Sequence, residues 1–294
     1  MRVRVDFNVD DTTKSTEALL KRLLPAWKAA ESSGAHLELD FADCQYLGPA
    51  AMALLFALLA DLDAHGRKWT FVPPKLQRLR AYCQFSGLLH RAGVGGPPNR
   101  DHPDNVTIPT RTFSAYDAQA IEDIVRLVRR FIPMSTQTES VLRSSIAELI
   151  QNVLDHAKSP TGGFITARAF SHEREVRFVV ADTGIGVRRA LSARHPNLGS
   201  DADAVVAAFD EHRTSQTTAH NRGLGLYHLS EMVRYNGGEI AFLSNTGSAE
   251  RHGASALHKR TMDQEFPGTM AIVRFRVDDA LYGSDAELAA DIEL

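Results

Sequence analysis

Three short segments in the second half of the chain carry side chains whose types and spacing suit a single kind of chemistry. In Glu148-Leu-Ile-Gln-Asn152-Val-Leu-Asp155-His156, a helix turning about 100° per residue puts Glu148, Asn152 and Asp155 on one narrow stripe. Leu149, Ile146 and Val153 lie nearly opposite. An amide between two carboxylates is also the ordinary composition of a solvated helix face. Further on, Arg174-Glu-Val-Arg-Phe-Val-Val-Ala reads as a strand that runs straight into Asp182-Thr-Gly184-Ile-Gly186-Val. A strand-end carboxylate can accept a hydrogen bond from an exocyclic amine, and glycines let backbone approach a flat ring. A tight turn after a strand has the same residues. In Asn221-Arg-Gly223-Leu224-Gly225-Leu, two glycines open a helix where exposed amides and the helix dipole favour an anion. A glycine pair there also permits close helix packing.

The third segment has neither the Lys-Ser nor the Lys-Thr of a Walker loop, since Tyr227 follows Leu226. No strand immediately precedes it, so it is not a dinucleotide fingerprint either.

The elements around these segments follow from periodicity. Ile121, Ile124, Val125 and Val128 give one helix an apolar stripe, and Leu142, Ile146, Leu149, Ile150 and Val153 a second. Gly163 to Phe170 and Glu175 to Ala181 form a hairpin around Ser171-His-Glu-Arg. The stretch from Val187 to Arg222 is polar, Ala-rich and aperiodic. Leu224 to Tyr235 is helical and stops at Asn236-Gly237-Gly238. Two more strands are predicted, Glu239 to Ser244 and Met270 to Val277, and the acidic tail after Asp278 is expected to fray. Before all this, strands at Arg2 to Val9, His36 to Phe41 and Lys68 to Val72 alternate with helices at Ser15 to Glu31, Pro49 to His65 and Lys75 to Leu89. Pro49 sits at a favoured first helical position. The Gly-, Pro- and Asn-rich run from Gly93 to Pro109 breaks both periodicities and reads as a linker.

Taken in order, the chemical segments resemble the GHKL superfamily of gyrase, heat-shock chaperone, histidine kinase and mismatch-repair ATPases. Glu148 to Ala157 resembles the N box, Asp182-Thr-Gly184-Ile-Gly186 the G1 box and Gly223-Leu-Gly225-Leu the G2 box. Phe266-Pro-Gly268-Thr269 resembles the final Gly-Thr element. The likeness runs from about Val106 to Val277. It implies ATP with Mg²⁺: Asn152 on the metal, Asp182 on the adenine amine with Thr269 beside it, and Gly184 and Gly186 against base and sugar. It also implies the amides around Gly223, Leu224 and Gly225 on phosphate, Asp155 at the same site, and a mobile lid at Val187 to Arg222. His220, Arg222 or Arg213 would reach the γ-phosphate. In the gyrase-like and anti-sigma-kinase branches a carboxylate one turn before the Asn orients the attacking oxygen, which gives Glu148 the role of general base. His156 is a pocket-wall, core or catalytic residue.

His36-Leu-Glu-Leu-Asp40-Phe-Ala-Asp43-Cys-Gln-Tyr46-Leu-Gly48-Pro49-Ala50, followed by a long apolar helix, resembles a STAS domain, as do Gly66-Arg-Lys-Trp-Thr-Phe-Val and Phe85-Ser-Gly-Leu-Leu. Antagonists of that type that are switched by phosphorylation present Asp-Ser or Asp-Thr where this chain has Pro49-Ala50, so no hydroxyl stands there. The domain is expected to dock or regulate, with a purely stabilising role as the alternative.

The expected fold is thus α/β: an N-terminal STAS-like α/β domain (1–93), a linker (94–108) and a GHKL (Bergerat) α/β sandwich (109–294). With 33 Lys and Arg against 36 Asp and Glu, the net charge of -3 gives no ground for nucleic-acid or membrane-surface binding. The most apolar run, Pro49 to Leu62, falls short of the roughly 20 residues a bilayer requires and reads as a buried helix. Two cysteines without metal-ligand spacing, and an N-terminus without a signal-peptide pattern, point to the cytoplasm. The function expected is regulatory: an ATP-dependent kinase or switch acting on a partner protein, of STAS or sigma-regulator type, with a homodimer also open. An ATPase, or an ATP sensor without kinase activity, is the alternative. A histidine kinase with its own acceptor is disfavoured, because no His occurs between Asp104 and Asp155.

Overall fold

Three short parallel strands and two long helices build the start of the chain in a computed structural model that describes residues 1–98, 106–192, 197–210, 224–277 and 279–282. Strands β1 (Arg2–Arg4), β2 (Leu37–Asp40) and β3 (Trp69–Val72) pair in that order, joined by α1 (Thr13–Ser33) and α2 (Pro49–Ala64). Thr12 caps α1 by accepting the Ser15 amide at 3.1 Å, and Gly34 ends it in the left-handed region at φ 70°. The strand expected to reach Val9 stops at Arg4, and only Val9 rejoins, as a bridge to Leu47. The helix expected from Lys75 to Leu89 is two, α3 (Gln77–Phe85) and α4 (Leu88–Arg91), because Gly87 between them adopts φ 87°.

The second half is a five-stranded antiparallel sheet in the order β4-β5-β6-β8-β7. Its strands are β4 (Thr107–Phe113), β5 (Gly163–Phe170), β6 (Glu175–Asp182), β7 (Glu239–His252) and β8 (His258–Arg276). Helices α5 (Ala118–Phe131), α6 (Thr136–Asn152) and α9 (Gly225–Asn236) form a layer on one face. Two more helices, α7 (Val187–Leu191) and α8 (Asp201–Asp210), lie in the stretch read as aperiodic. Strand β4 takes up Thr107 and Ile108 of the expected linker.

Both faces of this sheet are apolar, and alternation along each strand sorts the side chains. On β6, Val176, Phe178 and Val180 face α5, α6 and α9, while Val179 and Ala181 share a core with the N-terminal helices. On β8, Ala271, Val273 and Phe275 go one way and Met270 and Ile272 the other; on β7, Ile240 and Phe242 oppose Ala241 and Leu243. Helix α2 lies against β5 and β6, and α1 against β8. Buried around nearly its whole circumference, α2 is apolar all round, as such burial requires. The molecule is therefore layered as parallel sheet, helices, antiparallel sheet, helices.

A polar cluster pins the two halves together. Arg177 on β6 donates to Asp11 at 3.0 Å and to the Tyr46 hydroxyl at 2.9 Å, and lies over the Phe170 ring. Burial works against the Arg177 charge, but Asp11, Tyr46 and Glu175 outweigh it and hold the guanidinium above its usual range. Asp11 also accepts the Ala50 amide at 2.7 Å, capping α2 where Gly48 and Pro49 offer no side-chain acceptor. Among the described residues, no helix is long and apolar enough to cross a membrane.

Candidate functional site

Asp182 is the last residue of β6 and pairs in register with Thr269 on β8. Strand alternation turns Asp182, Thr269 and Ser244 of β7 to the face that carries the helices, because Ala181, Met270 and Leu243 beside them all face the N-terminal core. Asp182 is only 3% exposed. Burial pushes its carboxyl up to about 6, although hydrogen bonds from Gly184 and Thr269 pull the other way. The Gly184 amide donates to Asp182 Oδ1 at 2.7 Å.

Ser244 was not singled out in the sequence, yet its buried hydroxyl joins three parts of the site. It accepts the Val187 amide at 2.9 Å, donates to the Gly268 carbonyl at 3.0 Å and lies 3.5 Å from the Thr269 hydroxyl. A lone Ser at the end of a strand pattern gives no signal of this. Thr183 is a second such residue, linked through its hydroxyl to Thr161 at 2.8 Å and Ser159 at 3.1 Å.

Helix α6 forms the opposite wall. Ser135 caps it by accepting the Thr138 amide at 3.1 Å, and it ends at Asn152, where the chain widens into a π-helical turn, Val153–Ala157. Such turns are frequent at functional sites. The Ala157 carbonyl accepts the Ile185 amide at 2.8 Å, so this turn abuts the Asp182-to-Gly186 loop. One end of the helical segment thus touches the strand-end acid loop. Further back, Glu148 Oε2 accepts the amide of Gly225, the first residue of α9, at 2.7 Å. From 148 to 157 the segment spans about 13 Å at ordinary helical rise.

The glycines have protein neighbours. A Cβ on Gly184 would lie 1.9 Å from the Ala157 carbonyl oxygen, and one on Gly268 2.2 Å from that of Asp182. On Gly186 it would meet the Asn245 amide oxygen at 1.8 Å, and on Gly225 the Glu148 Cβ at 2.8 Å. Close packing, the alternative open from sequence for the glycine pair at the start of α9, is met at Gly225, and Gly184, Gly186 and Gly268 have equally near protein neighbours.

Asn152 is half-buried, and its side-chain amide makes no hydrogen bond to another described residue. Asp155 and His156 are exposed in the π-turn, and Asp155 accepts from Gln151 at 2.8 Å. Gly223, Arg213, His220 and Arg222 lie outside the described residues. Leu224, which precedes α9, is half-buried and supplies no side-chain cap. A metal here would have Asn152 as a side-chain ligand, and a sparse protein contribution suits Mg²⁺, which keeps most of its water. Among the described residues, the group of three potential ligand side chains is elsewhere. Glu239, Glu250 and His252 meet at the far end of the sheet, beside a cavity of about 460 Å³, and there Glu239 already pairs with Arg274 at 2.7 Å.

Known proteins resemble the part of the chain that carries these residues. The chain is 24% identical over 187 residues to the histidine protein kinase DivJ of Caulobacter vibrioides, covering 57% of this chain and 30% of that protein. It therefore spans less than a third of that kinase's length. Residues 137–279 match the family described as histidine kinase-, DNA gyrase B-, and HSP90-like ATPase. That match takes in nearly all of α6, the π-turn, the Asp182 loop, α9 and all of β5 to β8, and with the kinase likeness it supports an ATP-binding, kinase-like module in this segment.

Proposed function

We propose that the chain binds ATP with Mg²⁺ between α6, the end of β6 and the tip of α9, and uses it as a protein kinase or ATP-driven switch acting on a partner protein. The observation that carries this reading is the buried carboxylate of Asp182, held beside Thr269 on the helix-facing side of the sheet. A carboxylate this buried has a strong need for a donor, and the adenine amine is one. Gly184 and Gly186 shape the loop that meets the base, with Ser244 fixing that loop through Val187. Asn152 presents an amide oxygen toward Mg²⁺, and the α9 amides at Leu224 and Gly225 take phosphate. Asp155 lies at the polar edge of the site. ATP supplies the transferable phosphoryl group and Mg²⁺ neutralises its charge. Glu148, one turn before Asn152, then orients the attacking oxygen.

The phosphoryl acceptor in this reading is a hydroxyl on another protein, of STAS or sigma-regulator type, met in the cytoplasm. The chain's own N-terminal module, STAS-like by its sequence pattern, has Ala50 at the start of α2, fully buried beneath Asp11. That spot offers neither hydroxyl nor access, which favours a role in docking. A second reading, ATP as a sensed ligand that is not turned over, draws on Glu148 being hydrogen-bonded to Gly225. Incubating wild type and Asn152→Ala with γ-labelled Mg-ATP and candidate partners, while following ADP and protein-bound label, separates the readings. Label on a partner that disappears with Asn152→Ala supports the kinase. ADP release with no phosphoprotein leaves an ATPase, and neither product leaves the sensor.

A further inference from the structure

The contact between Glu148 and Gly225 has a consequence that rests on the nucleotide reading above. Gly225 opens α9, a twelve-residue helix whose preceding residue gives no side-chain cap. One of its orphan amides is satisfied across the molecule instead, by the Glu148 carboxylate at 2.7 Å. The approach is close by construction. A Cβ on Gly225 would lie 2.8 Å from the Glu148 Cβ and 3.0 Å from the Ser145 carbonyl, so α9 starts pressed against α6. A carboxylate at a helix N-terminus is a favourable anion. It also occupies the place where the nucleotide reading puts phosphate. Two anions within hydrogen-bond reach of one amide repel each other strongly in a partly buried setting.

We propose that Glu148 is an internal stand-in for phosphate: it caps α9 in the empty protein and must leave Gly225 when a nucleotide's phosphates arrive. The phosphate end of the ligand, and not its base, then sets where Glu148 points. Displacement frees the carboxylate one helical turn from Asn152, on the stripe the two residues share. This contact thus holds the carboxylate at the phosphate-binding amide until phosphates are present, and it lowers nucleotide affinity by the strength of that hydrogen bond.

Adenosine and ADP distinguish the two ends of the ligand. Each is titrated into wild type, Glu148→Gln and Glu148→Ala by calorimetry at fixed magnesium. Adenosine brings no phosphate and is expected to bind all three proteins alike. ADP is expected to bind Glu148→Ala about tenfold more tightly than wild type, the fold-change that matches a charge-assisted hydrogen bond of ~1.5 kcal/mol. Glu148→Gln, which keeps a neutral acceptor of the same shape and protects the fold, is expected to fall between. Without ligand, Glu148→Ala is expected to melt below wild type because α9 loses its cap. ADP binding unchanged or weakened in both variants, with adenosine unaffected, overturns the proposal and leaves the nucleotide site standing. An equal gain for adenosine and ADP also overturns it. Failure of all three proteins to bind either ligand removes the nucleotide reading and the proposal together.

Discussion

At the scale of single residues, Asp182 holds a charge where water is scarce. Raising its carboxyl from the ordinary 3.8 to about 6 corresponds to on the order of 3 kcal/mol against the ionised, empty site. The sign follows from linkage: a folded-state value above the unfolded one favours folding at low pH, and that advantage is lost as pH rises through about 6. Asp182→Asn is therefore predicted to gain stability over wild type progressively between about pH 4 and pH 6 and to hold the gain above, as read by thermal melts at pH 4 and pH 8. A gain equal at both pH values would contradict this. An amine donating to Asp182 favours the ionised form, so nucleotide affinity in wild type is predicted to rise from pH 5 to pH 7.

The elements show which features the sequence made legible. Glu148, Asn152 and Asp182 were readable because helix and strand periods locate them, and β5, β6, α6 and α9 formed where those periods placed them. The roles of the glycines were only half readable, since their neighbours come from distant elements. Gly184→Ala is predicted to lower the melting temperature of the empty protein by at least a few degrees, because its Cβ would enter the Ala157 carbonyl and overpacking of this kind costs roughly 1–3 kcal/mol. A variant that melts like wild type but binds nucleotide poorly would instead assign Gly184 to the ligand alone. Strand β4 was missed because Pro109 interrupts it, and the register shifts there, between Ile108 and Arg111, on an edge strand where proline is tolerated. The distal β7–β8 hairpin was missed because its residues are polar. Salt bridges from Lys259 to Asp203 and from Arg260 to Glu17 tie it to α8 and α1. Helix α8 did leave a signal, since Ser200 and Asp203 cap each other's amides in a box written in the sequence.

For the whole molecule, the layering makes the N-terminal module the back of the candidate site. Ala181, Leu243 and Met270, each next in chain to a site residue, pack into the N-terminal core with Phe164 and Ile272. Residues 106–294 expressed alone would expose that face, and apolar area on this scale drives association. The prediction is an aggregated or partly folded product, checked by gel filtration and melting. A soluble monomer as stable as the full chain would show that the two halves are independent. The Asp11–Arg177 pair offers a milder test, since removing one partner of a buried pair costs about 3–5 kcal/mol.

The nucleotide site is tested most directly by calorimetric titration of Mg-ATP into wild type and Asp182→Asn at pH 8. One ATP is predicted to bind each wild-type chain, and Asp182→Asn is predicted to bind it at least about tenfold more weakly while melting no lower than wild type. Equal affinity in the two proteins, or no binding to wild type, would contradict the account.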